Sequence, residues 1–249
     1  MSLLVGDAAA FRHRVGSVTH PGLVRQENED AIALHPAGAL WAVADGMGGH
    51  ANGRWAALQV VAELGQTPLR DDMDADCDAI ADALADANAK IVAAASASGK
   101  TIGATVVALR IAGNRIACLW AGDSRIYRLR DGRLRQLTRD HSHVEQLVGA
   151  GIITAEEADK HPMANVITRA VGVAPDLALD VVEDEVLAAD TFLLCSDGLN
   201  KCLSDAEIAA ILTTHPPGEA CDALLAATLK RGAPDNVSVI VVRCDPLPG

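Results

Sequence analysis

Short segments of the chain carry carboxylates in positions that suit chemistry on a bound cation. Asp45 and Asp197 each end a strongly apolar stretch and are followed directly by glycine, and Asp235 comes just before the last apolar run. A further segment contributes the adjacent pair Glu29 and Asp30. A carboxylate at the end of a buried strand is costly unless a positive charge neutralises it. Hard oxygen ligands suit Mg²⁺ or Mn²⁺ better than zinc, so the pattern predicts a divalent-cation site.

The glycine after each aspartate is expected to let the backbone turn sharply and to expose a carbonyl oxygen that can also coordinate a cation. A single Asp-Gly pair is also a common hairpin turn, and Asp131-Gly132, which lies among arginines, is interpreted as such a turn. Asp45 and Asp197 differ from it because they end strongly apolar strands.

A competing motif overlaps the first of these segments. Gly46, Gly48 and Ala51 fit the spacing GxGxxA of a dinucleotide-binding turn between a strand and a helix. Asp45 would then place a carboxylate beside the pyrophosphate, and residues 67–73 make a poor second parallel strand. These two features argue against a dinucleotide site. No GxxxxGK phosphate loop is present, which excludes an ATPase or GTPase of that type.

Composition restricts the class of protein. The 249 residues have a formal net charge of −12, which argues against nucleic acid or an anionic membrane surface as a partner. The six cysteines form no CxxC pair, so we expect reduced thiols in a cytoplasmic chain. The first dozen residues are expected to be a loose leader and make a poor signal peptide. No run approaches the roughly 20 apolar residues of a membrane helix.

Hydrophobic patterns indicate the elements that position the carboxylates. The predicted strands cover 14–20, 31–36, 39–45, two within 103–122, two within 124–138, 177–183, 191–197 and 237–244. The predicted helices cover 56–64, 74–95, 204–213 and 217–231. The segment 141–171, here called the flap, is polar and helical without a strand. Paired strands with helices in separate blocks predict an α+β fold with largely antiparallel sheets, in a single domain over 1–249.

Eight segments together resemble a known family. They are GLVRQENEDA, VADGMGGH, GATVVAL, AGDSRIYRLRDG, LTRDHS, HPMANVITRAVG, LLCSDGL and DNVSVIVV. In this order they are similar to bacterial members of the protein phosphatase 2C family, which are metal-dependent serine/threonine phosphatases. The resemblance runs from about Val15 to Val242. It implies an α/β/β/α sandwich of two mainly antiparallel sheets flanked by helices, with the small helical flap added.

The resemblance also implies a metal centre. Asp45 would bridge two Mn²⁺ or Mg²⁺ ions, with the carbonyl of Gly46 on one of them. Asp197 and Asp235 would complete the other site, and Asp123 would join Asp197 at a third, weaker site. The alternative for Asp123 is a structural role as the cap of the turn between two strands, and the metal-binding role is slightly favoured.

The same resemblance assigns Glu29 and Asp30 to metal binding, directly or through water, and Arg25 to the substrate phosphate. A water bridging two cations about 3.5–4 Å apart would lose a proton, and the hydroxide would attack the phosphoester. Arg25 would offer a bidentate fork to two phosphate oxygens. Eukaryotic members carry a histidine where this chain has Met47. Metal-bound water or a histidine from elsewhere would have to act as the acid; His50 and His161 are candidates, and neither is assigned.

Phosphorylated proteins are the implied substrates, and a Hanks-type serine/threonine kinase is the implied opposing enzyme in bacterial signalling. A monomer is expected. One alternative is a catalytically inactive scaffold that binds phosphoproteins or a kinase, although loss of a metal carboxylate would mark such a protein and the three central aspartates are present. Another is a sporulation or stress-type phosphatase, which usually carries sensor or membrane segments.

Asp140 and His141 are interpreted as stabilising the start of the flap, whereas Thr168 and Arg169 either contact substrate or only pack. The flap is the expected determinant of substrate choice.

Overall fold

The computed structural model describes residues 11–49, 51–158 and 161–247, apart from the side chain of Pro36. The strands are β1 Phe11–His20, β2 Asp30–His35, β3 Leu40–Met47, β4 Gly103–Ala104, β5 Val106–Ala112, β6 Arg115–Ala121, β7 Arg125–Arg130, β8 Arg133–Gln136, β9 Asp180–Glu185, β10 Thr191–Cys195 and β11 Val237–Pro246. The helices are α1 Ala51–Gln66, α2 Met73–Ser98, α3 His143–Gly149, α4 Ala155–Ala158, α5 Asp197–Asn200, α6 Asp205–Thr214 and α7 Pro217–Lys230.

The strands form two antiparallel sheets. One has the order β1-β11-β10-β7-β8, and the other has the order β2-β3-β5-β6-β9 with β4 paired to β3. The predicted α+β sandwich of two antiparallel sheets flanked by helices is confirmed. None of the helices within the described ranges has the length and apolar character needed to cross a bilayer.

Three apolar clusters separate the layers. Trp41, Phe192 and Ile240 belong to the cluster between the two sheets. A second cluster lies between α1, α2 and the β3-β5 sheet, and a third between α6, α7 and the β10-β11 sheet. Small residues fill much of the second cluster, and Ala56 and Ala57 of α1 are fully buried there. The fold therefore builds its core with few aromatic residues.

Alternation along β5 shows how sequence sets these layers. Val107, Leu109 and Ile111 contribute to the cluster between the sheets, whereas Val106 and Ala108 face the helices. Successive side chains of a strand point to opposite faces, so a strand buried on both sides reads as a continuous apolar run. This is the pattern from which the central strands were predicted.

Several predicted boundaries are wrong. Residues 1–10 of the expected leader lie outside the described residues, but Phe11 and Arg12 already belong to β1, which pairs with β11 from Phe11↔Pro246 to His20↔Val237. The helix predicted to start at residue 56 begins at Ala51. The strand predicted over 177–183 is Asp180–Glu185. Long-range pairing of β1 with β11 and of β9 with β6, which is not visible in a local pattern, fixes the two strand boundaries.

The flap leaves the sheet after β8 and returns at β9. It contains the short helices α3 and α4 and no strand among its described residues, as predicted. Two isolated bridges, Ser142↔Ile167 and Ala104↔Val171, close its base. The flap is therefore a loop with a narrow neck, and its neck adjoins β4.

Candidate metal centre

Asp30 and Asp45 face each other across β2 and β3. They are paired in the antiparallel register, so their side chains lie on the same face of the sheet. The backbone of Asp45 is fixed by Thr105, whose N–H donates to the carbonyl of Asp45 at 2.8 Å and whose hydroxyl accepts from the N–H of Asp45 at 3.2 Å. Strand pairing thus brings one predicted metal ligand beside another.

Asp197 and Asp235 come from the other sheet. Asp197 is the first residue of α5, directly after β10, and Asp235 lies two residues before β11. Since β10 and β11 are antiparallel neighbours, the end of one strand lies beside the start of the other. The sequence prediction that these carboxylates meet therefore follows from the topology.

A serine joins the two sheets at this point. The hydroxyl of Ser196 donates to Asp30 Oδ2 at 2.8 Å, and the N–H of Ser238 donates to Ser196 Oγ at 2.9 Å. Both serines are fully buried. This contact holds the β2 carboxylate in register with the β10-β11 pair.

Asp123 enters from the turn between β6 and β7. Its neighbour Ser124 shares a 2.7 Å hydrogen bond with Thr105, the residue that also fixes Asp45. The N–H of Gly122 donates to His141 Nδ1 at 3.2 Å. These two contacts hold both flanks of the turn, and Asp123 itself is only 7% exposed.

Burial raises the pKa of several of these carboxyls. The pKa of Asp30 and of Asp123 rises to about 7, first because of burial and then because of neighbouring carboxylates such as Asp197. The pKa of Asp45 is raised well above its usual value, again by burial first and then by Asp30 and Asp197. Negative charge is concentrated here without enough positive charge to neutralise it, which is the electrostatic condition for binding cations.

The donor atoms present fit a divalent cation. Asp30 Oδ1, Asp123 Oδ1 and Asp197 Oδ1 are buried and have no hydrogen-bond partner. Orphaned carboxylate oxygens of this kind need a cation or water. Within the described ranges, no three His, Cys, Asp or Glu side chains converge closely enough to enclose one ion. Mg²⁺ keeps several waters and uses only one or two carboxylates, so the arrangement fits hydrated ions and not a closed cage.

The glycines after Asp45 and Asp197 do not make the sharp turn that was predicted. Gly46 and Gly198 lie in β3 and α5, and neither has a positive φ. A Cβ on Gly46 would lie 2.1 Å from the carbonyl oxygen of Gly53, and one on Gly198 would lie 2.0 Å from that of Asn236. Close backbone approach, and not a sharp turn, requires glycine at both positions.

Glu29 reaches the same region from the loop between β1 and β2. A Cβ on Gly53 of α1 would lie 1.9 Å from Glu29 Oε2, so this carboxylate packs against the bare backbone of the helix. Glu29 lines a cavity of 350 Å³ together with Asp45, Gly46, Asp197 and Asp235. The structure therefore places both acidic residues of the 29–30 pair with the other predicted ligands.

Arg25 lies at the rim of this cavity. Its guanidinium donates to Asp235 Oδ2 at 2.9 Å, and its side chain is 55% exposed. The hydrogen bond and charge of Asp235 raise the pKa of Arg25. A largely exposed guanidinium with one carboxylate contact can rotate toward an anion that enters the cavity.

Two residues at the centre were not identified from sequence. Asn236 accepts from the N–H of Glu29 at 2.8 Å and donates to the carbonyls of Pro21 and Glu27, each at 2.9 Å. Lys201 forms an ion pair with Asp197 Oδ2. In the sequence, Asn236 could have been recognised because it follows Asp235, and Lys201 because it lies four residues after Asp197.

Some of the flap residues considered above make structural contacts, and others are exposed. The guanidinium of Arg125 donates to both oxygens of Asp140, and His141 contacts Gly122, so Asp140 and His141 support the start of the flap as predicted. Arg169 is paired with Asp180, outside the cavity that holds Arg25. Thr168 is exposed.

The two histidines considered as acids are not equivalent. His161 lines an adjacent cavity of 620 Å³ that also contains Asp123, Asp197 and Lys201, while His50 lies outside the described residues. Met47 lines the cavity that holds Arg25. Among the described residues no histidine lines that cavity.

Comparison with known proteins gives consistent matches over most of the chain. The sequence pattern described as "Protein phosphatase 2C" matches residues 20–231. The serine/threonine protein phosphatase PstP of Mycobacterium tuberculosis is 40% identical over 226 residues, which cover 88% of this chain. Those residues make up 43% of PstP, so the chain spans less than half the length of that relative.

Solved structures match over nearly the whole chain. A structure described as "PppA, a key regulatory component of T6SS in Pseudomonas aeruginosa" is 42% identical and has a TM-score of 0.88, covering 96% of this chain and 99% of that one. The catalytic domain of PstP, described as in complex with two manganese ions, is 36% identical with a TM-score of 0.84, covering 94% and 98% of the two chains.

Proposed function

Because the chain belongs to the protein phosphatase 2C family, we propose that it is a metal-dependent phosphatase that hydrolyses phosphoserine and phosphothreonine on proteins. One observation carries this proposal. Carboxylates from both sheets, those of Asp45, Asp197 and Asp235, line one cavity with Arg25 at its rim. An inactive scaffold would have the same fold, but it would not explain why three carboxylates and an arginine line one cavity.

The proposed ligand set is the one expected from sequence. Asp45 would be shared by two ions, with the Gly46 carbonyl on one and the pair Asp197 and Asp235 on the other. Mn²⁺ or Mg²⁺ suits these oxygen donors, and the two manganese ions described for the PstP domain support the choice. When bound, the ions would lower the pKa of a water and offset the charge that develops on the phosphate.

Glu29 and Asp30 would complete the shells directly or through water. Asp30 is anchored by Ser196, and Glu29 by the hydrogen bond from its N–H to Asn236. Asp123 with Asp197 would form the weaker third position. Each of these carboxylates is held by its backbone or by a neighbouring hydroxyl, so the ligands are positioned before an ion arrives.

Arg25 would bind the substrate phosphate. Its planar guanidinium can donate two parallel hydrogen bonds to phosphate oxygens, which places the phosphorus against the carboxylate-lined floor of the cavity. It would leave Asp235 when the anion enters. An ion at Asp235 would favour this exchange, because it weakens the attraction between the arginine and the carboxylate.

A cysteine nucleophile is not part of the proposal. Cys195 lies two residues before Asp197, but burial raises the pKa of its thiol to about 12. Thiolate, not thiol, is the nucleophilic form, so Cys195 would be inert at neutral pH.

The cellular role is proposed from the relatives. Phosphorylated proteins would be the substrates and a Hanks-type kinase the opposing enzyme, in a cytoplasmic, monomeric protein whose residues 1–249 form one domain. The match to PppA, at 42% sequence identity, covers 99% of that chain. A regulatory role of the kind described for PppA is therefore the first cellular process to test.

The experiment measures hydrolysis of p-nitrophenyl phosphate and a phosphothreonine peptide with Mn²⁺, Mg²⁺ or EDTA. The test variant is Asp197→Asn, and the matched control is Asp131→Asn, which removes a carboxylate from the β7-β8 turn. We expect Mn²⁺-dependent turnover that is lost in Asp197→Asn and kept in Asp131→Asn. Turnover that resists EDTA would overturn the metal assignment, and no turnover with either ion would favour the inactive scaffold.

A further inference from the structure

Lys201 points back at the metal centre from the end of a helical turn. It follows α5 directly, four residues after Asp197, and its backbone N–H donates to the carbonyl of Asp197 at 3.0 Å. Side chains four residues apart lie on one face of a helix. The ammonium group forms an ion pair with Asp197 Oδ2, and the Lys201 side chain is 37% exposed.

Two of the carboxylates around this ammonium, Asp197 and Asp123, are the predicted ligands of the third ion. The charges of Asp197, Asp123 and Asp235 raise the pKa of Lys201 against the effect of burial, which comes first in magnitude and acts in the opposite direction. Lys201 in turn lowers the pKa of Asp123, although burial raises it more strongly. The ammonium of Lys201 therefore contacts Asp197, one of the two predicted ligands of the third ion.

Asp123 and Lys201 also line the same 620 Å³ cavity. Asp123 Oδ1 is buried without a hydrogen-bond partner, and the residue is only 7% exposed. The other arginine or lysine lining that cavity within the described residues is Arg125, whose guanidinium already donates to Asp140 and to the hydroxyl of Tyr127. Lys201 is thus the cation available to the Asp123–Asp197 pair.

We propose that Lys201 is a tethered cation that takes the place of a third metal ion between Asp123 and Asp197. A divalent cation that enters this position must displace the ammonium or bind beside it against repulsion. Asp197 can serve two partners, because Oδ2 accepts from Lys201 while Oδ1 is free of protein hydrogen bonds. The chain would then hold two ions tightly and a third only weakly. This inference rests on the proposed function, since it assumes the two-ion centre.

The test counts Mn²⁺ ions bound to the whole chain, using the electron paramagnetic resonance signal of free hexaaqua Mn²⁺, and needs no activity measurement. Wild type is compared with Lys201→Met, with Lys201→Arg, and with Lys90→Met. Lys90 pairs with Glu63 on the surface of α1 and α2, which makes it a matched lysine–carboxylate control. Circular dichroism of each variant in EDTA checks folding, and Lys201→Gln replaces Lys201→Met if the latter fails to fold.

We expect wild type, Lys201→Arg and Lys90→Met to bind two ions tightly and a third weakly. In Lys201→Met the third ion should bind about tenfold more tightly or better, and adding Asp123→Asn should abolish that gain. Two tight ions with an unchanged third step in Lys201→Met would overturn the inference alone. A wild-type chain that binds no Mn²⁺ would overturn the proposed metal centre and the inference with it.

Discussion

The guanidinium of Arg25 lies 2.9 Å from Asp235 Oδ2, although 210 residues separate them in the chain. The proposed phosphate-binding residue therefore contacts a proposed metal ligand. Asn236 makes this contact possible, because it hydrogen-bonds to the backbone of Pro21, Glu27 and Glu29 and so holds the Arg25 loop against the start of β11. Under the proposed roles, phosphate binding and cation binding would be coupled through this one ion pair.

Replacing Arg25 should separate these two functions. In Arg25→Ala, kcat/KM for the phosphothreonine peptide should fall about 10- to 100-fold, since a hydrogen bond to a charged group is worth about 1.5–3 kcal/mol. Mn²⁺ affinity should stay the same or increase, because Asp235 loses a competing cation. Steady-state kinetics and Mn²⁺ titration measure the two effects.

Arg14 provides the control for this prediction. It is paired with Asp245 at the far end of β11, so Arg14→Ala also removes an exposed arginine–aspartate pair. Both kinetics and Mn²⁺ binding should be unchanged in that variant. A large loss of Mn²⁺ affinity in Arg25→Ala would show that Arg25 organises the ligands and does not primarily bind phosphate.

Metal-free protein should lose stability as the pH rises. The folded-state pKa of Asp30 and of Asp123 is about 7, against a usual value of 3.8. Between these values the native state holds protons that the unfolded state has released, so the free energy of unfolding decreases with increasing pH. The contribution of the protonated Asp30 and Asp123 to the stability of the folded state is fully present below about pH 4 and is lost as the pH rises through about 7. Urea unfolding in EDTA at pH 5, 6, 7 and 8 measures the slope.

Manganese should reverse this dependence. The ion binds the charged carboxylates, so its apparent affinity should increase toward pH 7 and restore stability where the metal-free protein is weakest. In EDTA, Asp30→Asn should show a smaller slope than wild type, because one proton-binding group is gone. Equal slopes in the two proteins would contradict the assignment of the raised pKa to Asp30.

The predictable and unpredictable parts of the site differ in their physical origin. The ends of apolar strands mark Asp45 and Asp197 in the sequence, because burial imposes a continuous apolar pattern on β3 and β10. The requirement for glycine at residue 46 could not be predicted from this apolar pattern. It depends on the approach of Gly53, which belongs to a helix packed by tertiary contacts. Lys201 shows the same limit, since only the fold reveals which charges surround its ammonium.

Two glycines of α1 should respond oppositely to alanine. A Cβ on Gly53 would lie 1.9 Å from Glu29 Oε2 and 2.9 Å from the backbone of Gly46, whereas Gly65 has nothing within 4 Å. We expect Gly53→Ala to weaken Mn²⁺ binding and to lower the free energy of unfolding by about 1–3 kcal/mol through overpacking. Gly65→Ala should raise it by about 0.5–1 kcal/mol through helix propensity. Urea unfolding in EDTA and Mn²⁺ titration test both, and Mn²⁺ binding by Gly53→Ala equal to wild type would contradict a role for Glu29 at the centre.

Loss of the Asn236 side chain should release the Arg25 loop. Asn236→Ala removes three hydrogen bonds from a residue that is 6% exposed, which should cost about 1–3 kcal/mol of stability. KM for p-nitrophenyl phosphate should also increase, because the loop no longer holds Arg25 at the cavity rim. Asn88→Ala is the control, since Asn88 is also buried, at 2% exposed, but hydrogen-bonds to residues 172–175. It should destabilise the protein without changing KM, and an equal KM change in both variants would indicate a general loss of packing.

The flap can be exchanged at its neck. The Ser142↔Ile167 bridge and the 2.8 Å hydrogen bond from the N–H of His143 to the carbonyl of Val166 close the neck, so residues 144–165 can be replaced without breaking either contact. Asn165 lines the cavity of Arg25, which places the flap where a protein substrate would pass. With the corresponding segment of PstP, relative rates on two phosphoproteins should change while p-nitrophenyl phosphate turnover is kept. Unchanged relative rates would mean that the flap does not select substrates, and loss of p-nitrophenyl phosphate turnover would mean that it supports the metal centre itself.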